Sequence, residues 1–246
     1  MSQGYLRKKT KAALSDLINT YDSVMKVMET KGKEADEDGV RAYGGVIREM
    51  KGKLQEYITH RLIEIVWVNE LRQASERLNI NSKKIPIKLR RDYLERVPTY
   101  LKRHIKSHID NYYYKLSVDK HVFIDNKFVL GIECKAFTEN AMIKRIMVDF
   151  MLLKTIYPNL KCYLFQLESQ LTGDYSELKD NPLGSTATHS IMSYFETVDL
   201  NILTLIKGER KVDRPINKPQ FFKPLEMTSL EKGIVWLVEA MKEYAK

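Results

Sequence analysis

Residues 118–137 read VDKHVFIDNKFVLGIECKAF. Two runs of β-branched and aromatic residues flank a polar Asp125-Asn126-Lys127 tip, the pattern of a β-hairpin. Side chains alternate between the faces of a strand, so Glu133 and Lys135 share one face with Val129 and Gly131. The place of Asp119 depends on the turn. A two-residue tip at Asp125-Asn126 pairs Asp119 with Ile132 and turns it to the opposite face. A three-residue tip, or a bulge with the same effect, sets Asp119 directly across from Glu133, with Cβ atoms about 5 Å apart. The expectation is the three-residue tip Asp125–Lys127 or such a bulge.

Working outward, residues 5–30 carry Leu14, Leu17, Tyr21, Met25 and Met28 at helical spacing. The charged stretch Lys31 to Gly39 reads as a loop. From Val40 to Leu78 the stripe Leu54, Ile58, Leu62, Ile65, Val68, Leu71, Ala74 and Leu78 predicts a second, long helix. Residues 79–92 break that pattern with Pro86 and basic residues, as a loop or short extended piece. A helix follows Pro98 and ends near Asp110. After the hairpin, Thr138 reads as an N-cap and Glu139 as a first-turn acid. That helix shows Ile143, Ile146, Phe150 and Leu153 on one face and stops before Pro158. Lys161–Leu167 and Leu200–Ile206 read as strands, and an amphipathic helix begins at Thr228. The predicted fold class is α/β: a mixed β-sheet flanked by helices, with a helical N-terminal part. One domain spans 1–246, mainly helical over 1–110, core over 111–170, and irregular with a final helix over 171–246.

The 246 residues are 43% hydrophobic, enough for a sizeable core, and no apolar run reaches membrane-spanning length. The N-terminus lacks an apolar signal segment. Two cysteines, Cys134 and Cys162, lie inside predicted strands and read as buried thiols of a cytoplasmic protein. A net charge of +9 favours an anionic partner.

Paired carboxylates within a sheet repel each other and lose solvation, a cost that a divalent cation relieves. Mg²⁺ takes oxygen ligands and keeps several waters. The Cys134 carbonyl offers a neutral third ligand beside Asp119 and Glu133. A metal-bound water is a nucleophile, which Lys135 can orient or help deprotonate, and Lys135 can also stabilise charge on a phosphate. Both faces of the Phe128–Phe137 run are too apolar for a surface hairpin. Glu133 and Lys135 are then ionisable residues in a largely buried strand, which is unusual outside a site. Asp125, more than about 10 Å along the strand from the partner of Glu133, is read as a turn residue.

The pattern Asp119…Glu133-Cys134-Lys135, with a helix and a strand following, resembles the signature of the PD-(D/E)xK nuclease superfamily, most closely its type II restriction endonucleases. Asp119 matches the first acidic residue, Glu133 the second and Lys135 the lysine, 14 residues separating the two acids. Val118 stands where the signature has proline. The resemblance covers about 118–167. It implies a restriction-endonuclease-like core and a Mg²⁺-dependent endodeoxyribonuclease that cleaves double-stranded DNA and leaves 5′-phosphates. A homodimer on a palindromic site is also implied. The helices Leu14–Met28 and Leu54–Leu78 are candidate dimer surfaces. A further metal carboxylate from the long helix would be Glu56, Glu64 or Glu70. A junction resolvase or repair nuclease, and a DNA-binding protein without activity, are the rival readings.

Two basic stretches are candidates for DNA contact. The first contains Lys83, Lys84, Arg90, Arg91, Lys102 and Arg103, with Tyr93 and Tyr100 interleaved. The second contains Lys207, Arg210, Lys211 and Arg214, within the region 171–246 that is expected to recognise DNA. The polar loop Asn181–His189 is a third. His104 and His108 are spaced for zinc, but no third ligand accompanies them. No P-loop or dinucleotide fingerprint is present, so no nucleotide cofactor is expected.

Overall fold

The computed structural model describes residues 6–37, 43–171 and 185–245. In chain order its elements begin with helices α1 (Lys8–Glu37) and α2 (Tyr43–Ile65). Then come strands β1 (Leu78–Asn81) and β2 (Ile85–Lys88), helix α3 (Thr99–Ser107) and strand β3 (Tyr113–Leu116). The hairpin β4 (Lys120–Ile124) and β5 (Lys127–Thr138) follows. Helix α4 (Asn140–Lys154), strand β6 (Lys161–Ser169), helix α5 (Thr186–Ser193), strand β7 (Leu200–Thr204) and helix α6 (Met227–Met241) complete it. The mixed sheet and its flanking helices are the predicted α/β architecture.

The main sheet runs β1-β4-β5-β6-β7. Its first three strands are antiparallel neighbours, and β5-β6-β7 are parallel. The parallel pair needs a crossover, which α4 supplies. Each face has its own core. On one, the stripes of α1, α2 and α6 pack on Leu130, Ile132, Phe165 and Leu203. On the other, Ile143, Ile146, Phe150 and Leu153 of α4 are buried with Val118, Phe128 and Leu164. The small sheet β2-β3 attaches to this second face through Leu116, Ile85 and Ile87. Gly131 lets α4 approach: a Cβ there would lie 2.9 Å from Phe150 Cε1.

Several expectations are corrected. Helix α1 continues to Glu37 across most of the stretch expected to be a loop. Lys, Glu and Ala are good helix formers, and their charge alone does not end a helix. The second helix stops far short of Leu78. It closes in a π-helical turn, Val66–Glu70, whose wide bond runs from the Leu71 N–H to the Val66 carbonyl at 2.9 Å. Arg72 then takes φ +55° and the chain turns away. Leu71 and Leu78 still pack on the same core, but outside the helix. The strand β1 therefore lies within the region expected to be mainly helical. Thr138 ends β5 and Glu139 occupies the N-cap position, one residue later than predicted. The last strand is Leu200–Thr204, two residues shorter than expected. The apolar stripes proposed as dimer surfaces are spent inside the chain. Leu14, Leu17, Tyr21, Met28, Leu54, Ile58 and Leu62 are all buried in the first core.

Candidate active site

The hairpin settles the question of parity by a bulge. Ile124 pairs with Lys127, so the tip is the two-residue Asp125-Asn126 and not the three-residue one. Both tip residues have positive φ, +48° and +65°, as a type I′ turn requires. The register then shifts between Val122 and Phe123, Phe123 facing Phe128 and Val122 facing Leu130. Val129 is the extra residue. Below the bulge Lys120 pairs with Ile132, so the next position, Asp119, comes opposite Glu133. The bulge has restored what the short turn would have undone. Asp125 is a turn residue, its carboxylate gripped by Arg77 Nε at 2.9 Å and Nη2 at 2.7 Å.

Asp119 precedes the first residue of β4, beyond the end of the ladder. Its side chain takes over the role of a strand partner: Oδ2 accepts from the Cys134 N–H at 2.7 Å. Lys135 Nζ donates to Glu133 Oε1 at 2.6 Å, to the Cys134 carbonyl at 3.2 Å and to Asp119 Oδ2 at 3.4 Å. The three sequence-predicted ligands thus converge on one cation, the lysine ammonium. The side chains are 29% (Asp119), 15% (Glu133) and 31% (Lys135) exposed, so the group is sheltered yet open to solvent. The Cys134 thiol has the other face and is buried in the first core, where burial holds its pKa well up. Only its carbonyl is offered to the site.

The electrostatics fit a cation site. Burial, reinforced by Asp119 and also by Asp149, pushes the Glu133 carboxyl above its usual range against the pull of Lys135. Burial opposes the Lys135 ammonium, but Glu133 and Asp119 outweigh it and hold its pKa up. Lys135 is therefore a charged donor at neutral pH. The residues present suit a hard divalent ion, because two carboxylates and a carbonyl are oxygen donors and the ammonium stands where a cation is already favoured. Among the described residues no three His, Cys, Asp or Glu side chains gather as a ligand set. Water would have to complete the shell, as Mg²⁺ ordinarily permits.

Two neighbours escaped the sequence reading. Asp149 lies on α4 beside Phe150, with its side chain 16% exposed and 3.8 Å from Arg145. Burial raises its pKa, opposed by Arg145 and Lys135. Its signal was an acid within the apolar stripe, three residues after Ile146. Gln166 pairs with Lys135 across the parallel strands and is fully buried, its Nε2 bonded to Thr204 Oγ1 at 2.9 Å.

The helix carboxylates do not join the group. Glu56 pairs with Lys120 at 3.1 Å, Glu64 with His60 and Arg61, and Glu70 with Arg7. Among the basic candidates Lys83, Lys84, Arg91, Arg103, Lys211 and Arg214 are exposed. Arg90 is tied to Asp92, Lys102 to Glu95 and Lys207 to Glu226. Arg210 is turned inward. Its guanidinium lies 4.0 Å over the Phe137 ring and bonds Gln170, while its N–H donates to the Ser169 carbonyl at 2.7 Å. It ties its loop to the ends of β5 and β6. Part of the loop Asn181–His189 falls outside the described residues, and Thr186–Ser193 forms α5, capped by Ser185. The rings of His104 and His108 lie 4.7 Å apart, tilted by 37°, both exposed at the C-terminal end of α3. No described helix is long and apolar enough to cross a membrane.

No family model matches the chain. The type II restriction enzyme DdeI of Desulfomicrobium norvegicum is 59% identical over 239 residues, covering 97% of this chain and 100% of that protein. Among solved structures, the native BbvCI A2B2 tetramer at low resolution aligns over 97% of this chain and 98% of that one. Its identity is 10% and its TM-score 0.38.

Proposed function

The chain belongs to the type II restriction enzymes, and from that premise we propose that it is a site-specific endodeoxyribonuclease using Mg²⁺ at Asp119, Glu133 and the Cys134 carbonyl. The observation that carries the reading is the convergence of those three oxygens on one cation position, at 3.4, 2.6 and 3.2 Å from the ammonium. Bound there, the metal would lower the pKa of a water and neutralise charge on the phosphate. Asp119 and Glu133 would hold it, and the Cys134 N–H keeps one Asp119 oxygen fixed. Lys135, charged at neutral pH, would leave that position as the metal takes it and act as a donor to the phosphoryl oxygens or to the incoming water. Water adds to phosphorus, the bond to the 3′-oxygen breaks, and that oxygen leaves as a hydroxyl. The products carry 5′-phosphates.

Double-stranded DNA is the partner this reading requires, held as two-fold copies of the chain on a palindromic site. The exposed Lys83, Lys84, Arg91 and Arg103 would grip phosphates, with help from Arg90 and Lys102. Lys211 and Arg214, with Lys207, would form a second DNA contact, while Arg210 holds their loop. The whole chain would work as one nuclease domain. Its two free thiols, Cys134 and Cys162, suit a reducing cytoplasm.

The test is digestion of phage DNA with and without Mg²⁺, followed by sequencing of the fragment ends. Discrete fragments with 5′-phosphates are expected from the unaltered protein. Glu133→Ala and Lys135→Met should each lose cleavage by at least about 100-fold while still retarding DNA in a gel. Undiminished cutting by either variant would remove it from the catalytic group. Mg²⁺-independent cutting would remove the metal.

A further inference from the structure

The segment bearing Asp119 lies outside the strand ladder, and something other than sheet pairing must fix it. Val118 is 3% exposed, so its N–H is a buried donor that needs a partner. The partner is a side chain three residues on. The Val118 N–H donates to His121 Nε2 at 3.2 Å within the buried interior. This closes a tight loop, Val118-Asp119-Lys120-His121, with Asp119 near its apex.

The ring is itself held. His121 is 1% exposed, and its centroid lies 4.8 Å from that of Phe128. Its strand partner is Gly131, the residue whose missing Cβ admits Val118 Cγ2 and Phe150 to the sheet surface. An accepting Nε2 puts the proton on Nδ1, which has no hydrogen-bond partner. Phenylalanine would fill the space without that unsatisfied nitrogen, but would leave the Val118 N–H without its acceptor.

We propose that His121 is a positioning residue for Asp119: its Nε2 fixes the Val118 backbone so that the Asp119 carboxylate meets Glu133 and the Cys134 N–H at one cation site. Asp119 is then held at both ends, its backbone by His121 and its Oδ2 by Cys134. This inference rests on the metal-site reading given above. Partners one step removed from a metal are typically worth about 10–100-fold in affinity or activity.

Two variants separate positioning from packing. His121→Phe keeps an aromatic body and removes the acceptor. His121→Gln loses aromatic contact but returns an acceptor near the Nε2 position. Mn²⁺ binding is measured directly by electron paramagnetic resonance, beside the Mg²⁺ midpoint for cleavage and the melting temperature. The expected order is that His121→Phe weakens Mn²⁺ binding by at least about 10-fold with little loss of melting temperature. His121→Gln should bind within a few-fold of the unaltered protein even where it melts lower. Unchanged Mn²⁺ binding in His121→Phe overturns the inference. So does a loss in both variants that tracks only their melting temperatures. Failure of the unaltered protein to bind Mn²⁺ overturns the metal-site reading as well, which marks that failure off from the other two.

Discussion

A second buried charge shows how the molecule treats a cation that is not offered to substrate. Lys51 of α2 is 1% exposed. Its Nζ lies 3.8 Å from Glu168 Oε1 and 4.3 Å from the centre of the Phe222 ring. Burial lowers its pKa to about 8, more than Glu168 can restore, with Lys223 and Arg210 adding to the depression. Lys135 differs because two carboxylates face it and together outweigh its burial. The consequence for Lys51 has a definite sign. Between pH 8 and the ordinary lysine value of 10.5 the folded chain has released a proton that the unfolded chain keeps. Stability therefore rises with pH across that window and is lost as pH falls through 8, by up to about 3 kcal/mol. Lys51→Met should raise stability at pH 7 by about 1–3 kcal/mol and flatten that rise. Glu168 is not orphaned by the change, since Lys223 stays 3.1 Å from it. Urea unfolding at pH 7 and pH 10 measures the difference. A variant less stable than its parent at pH 7 would mean that the buried pair with Glu168 outweighs the burial cost.

At the scale of elements, the hairpin shows what alternation can and cannot reveal. Parity stated the requirement correctly: Asp119 meets Glu133 only if one strand gains a residue. It could not say where. Val129 and Leu130 are both apolar and both buried in the first core, so a bulge between them leaves no break in the hydrophobic pattern. The polar Lys127 looked like part of the tip, whereas it is the first paired residue of β5. The end of α2 was hidden for a similar reason. Leu71 and Leu78 continue to face the core after the helix has ended, and neither Gly nor Pro marks the change. Helix α4 and strand β6 were legible because a clean apolar stripe and a short, largely apolar run have few alternative readings. The tip itself is testable. Asn126 holds φ +65°, where a side chain costs about 1 kcal/mol relative to glycine and a β-branched one more. Asn126→Gly should stabilise the protein by about 0.5–1 kcal/mol, and Asn126→Val should destabilise it by about 1–2 kcal/mol. Cleavage should be unchanged in both, because the bulge and the paired residues of β4 lie between the tip and Asp119. Equal urea midpoints for the two variants would contradict the type I′ turn.

For the whole molecule the charge is unevenly placed, and its placement makes the last prediction. Between Ser82 and Ser117 stand ten basic residues against three acidic ones, a surplus of seven in a chain of net charge +9. This insertion leaves the sheet at the end of β1 and returns to it at Lys120, next to Asp119. Asp92 and Glu95 engage Arg90 and Lys102, while Lys83, Lys84, Arg91 and Arg103 remain exposed. Each phosphate neutralised by a lysine or arginine contributes about 0.9 to the slope of log affinity against log salt. Replacing these four with alanine should therefore make the slope shallower by up to about 3.6, through weaker binding at low salt. Cleavage at saturating DNA and the fragment pattern should both survive, because phosphate contacts position the duplex and do not read it. Lys211 and Arg214 are the internal comparison: loss of a base contact costs about 1–3 kcal/mol of discrimination and blurs the fragment pattern while moving the slope little. Filter binding across a salt series, with the same DNA digested in parallel, distinguishes the two surfaces. An unchanged slope in the fourfold variant would show that the insertion's charge serves something other than DNA.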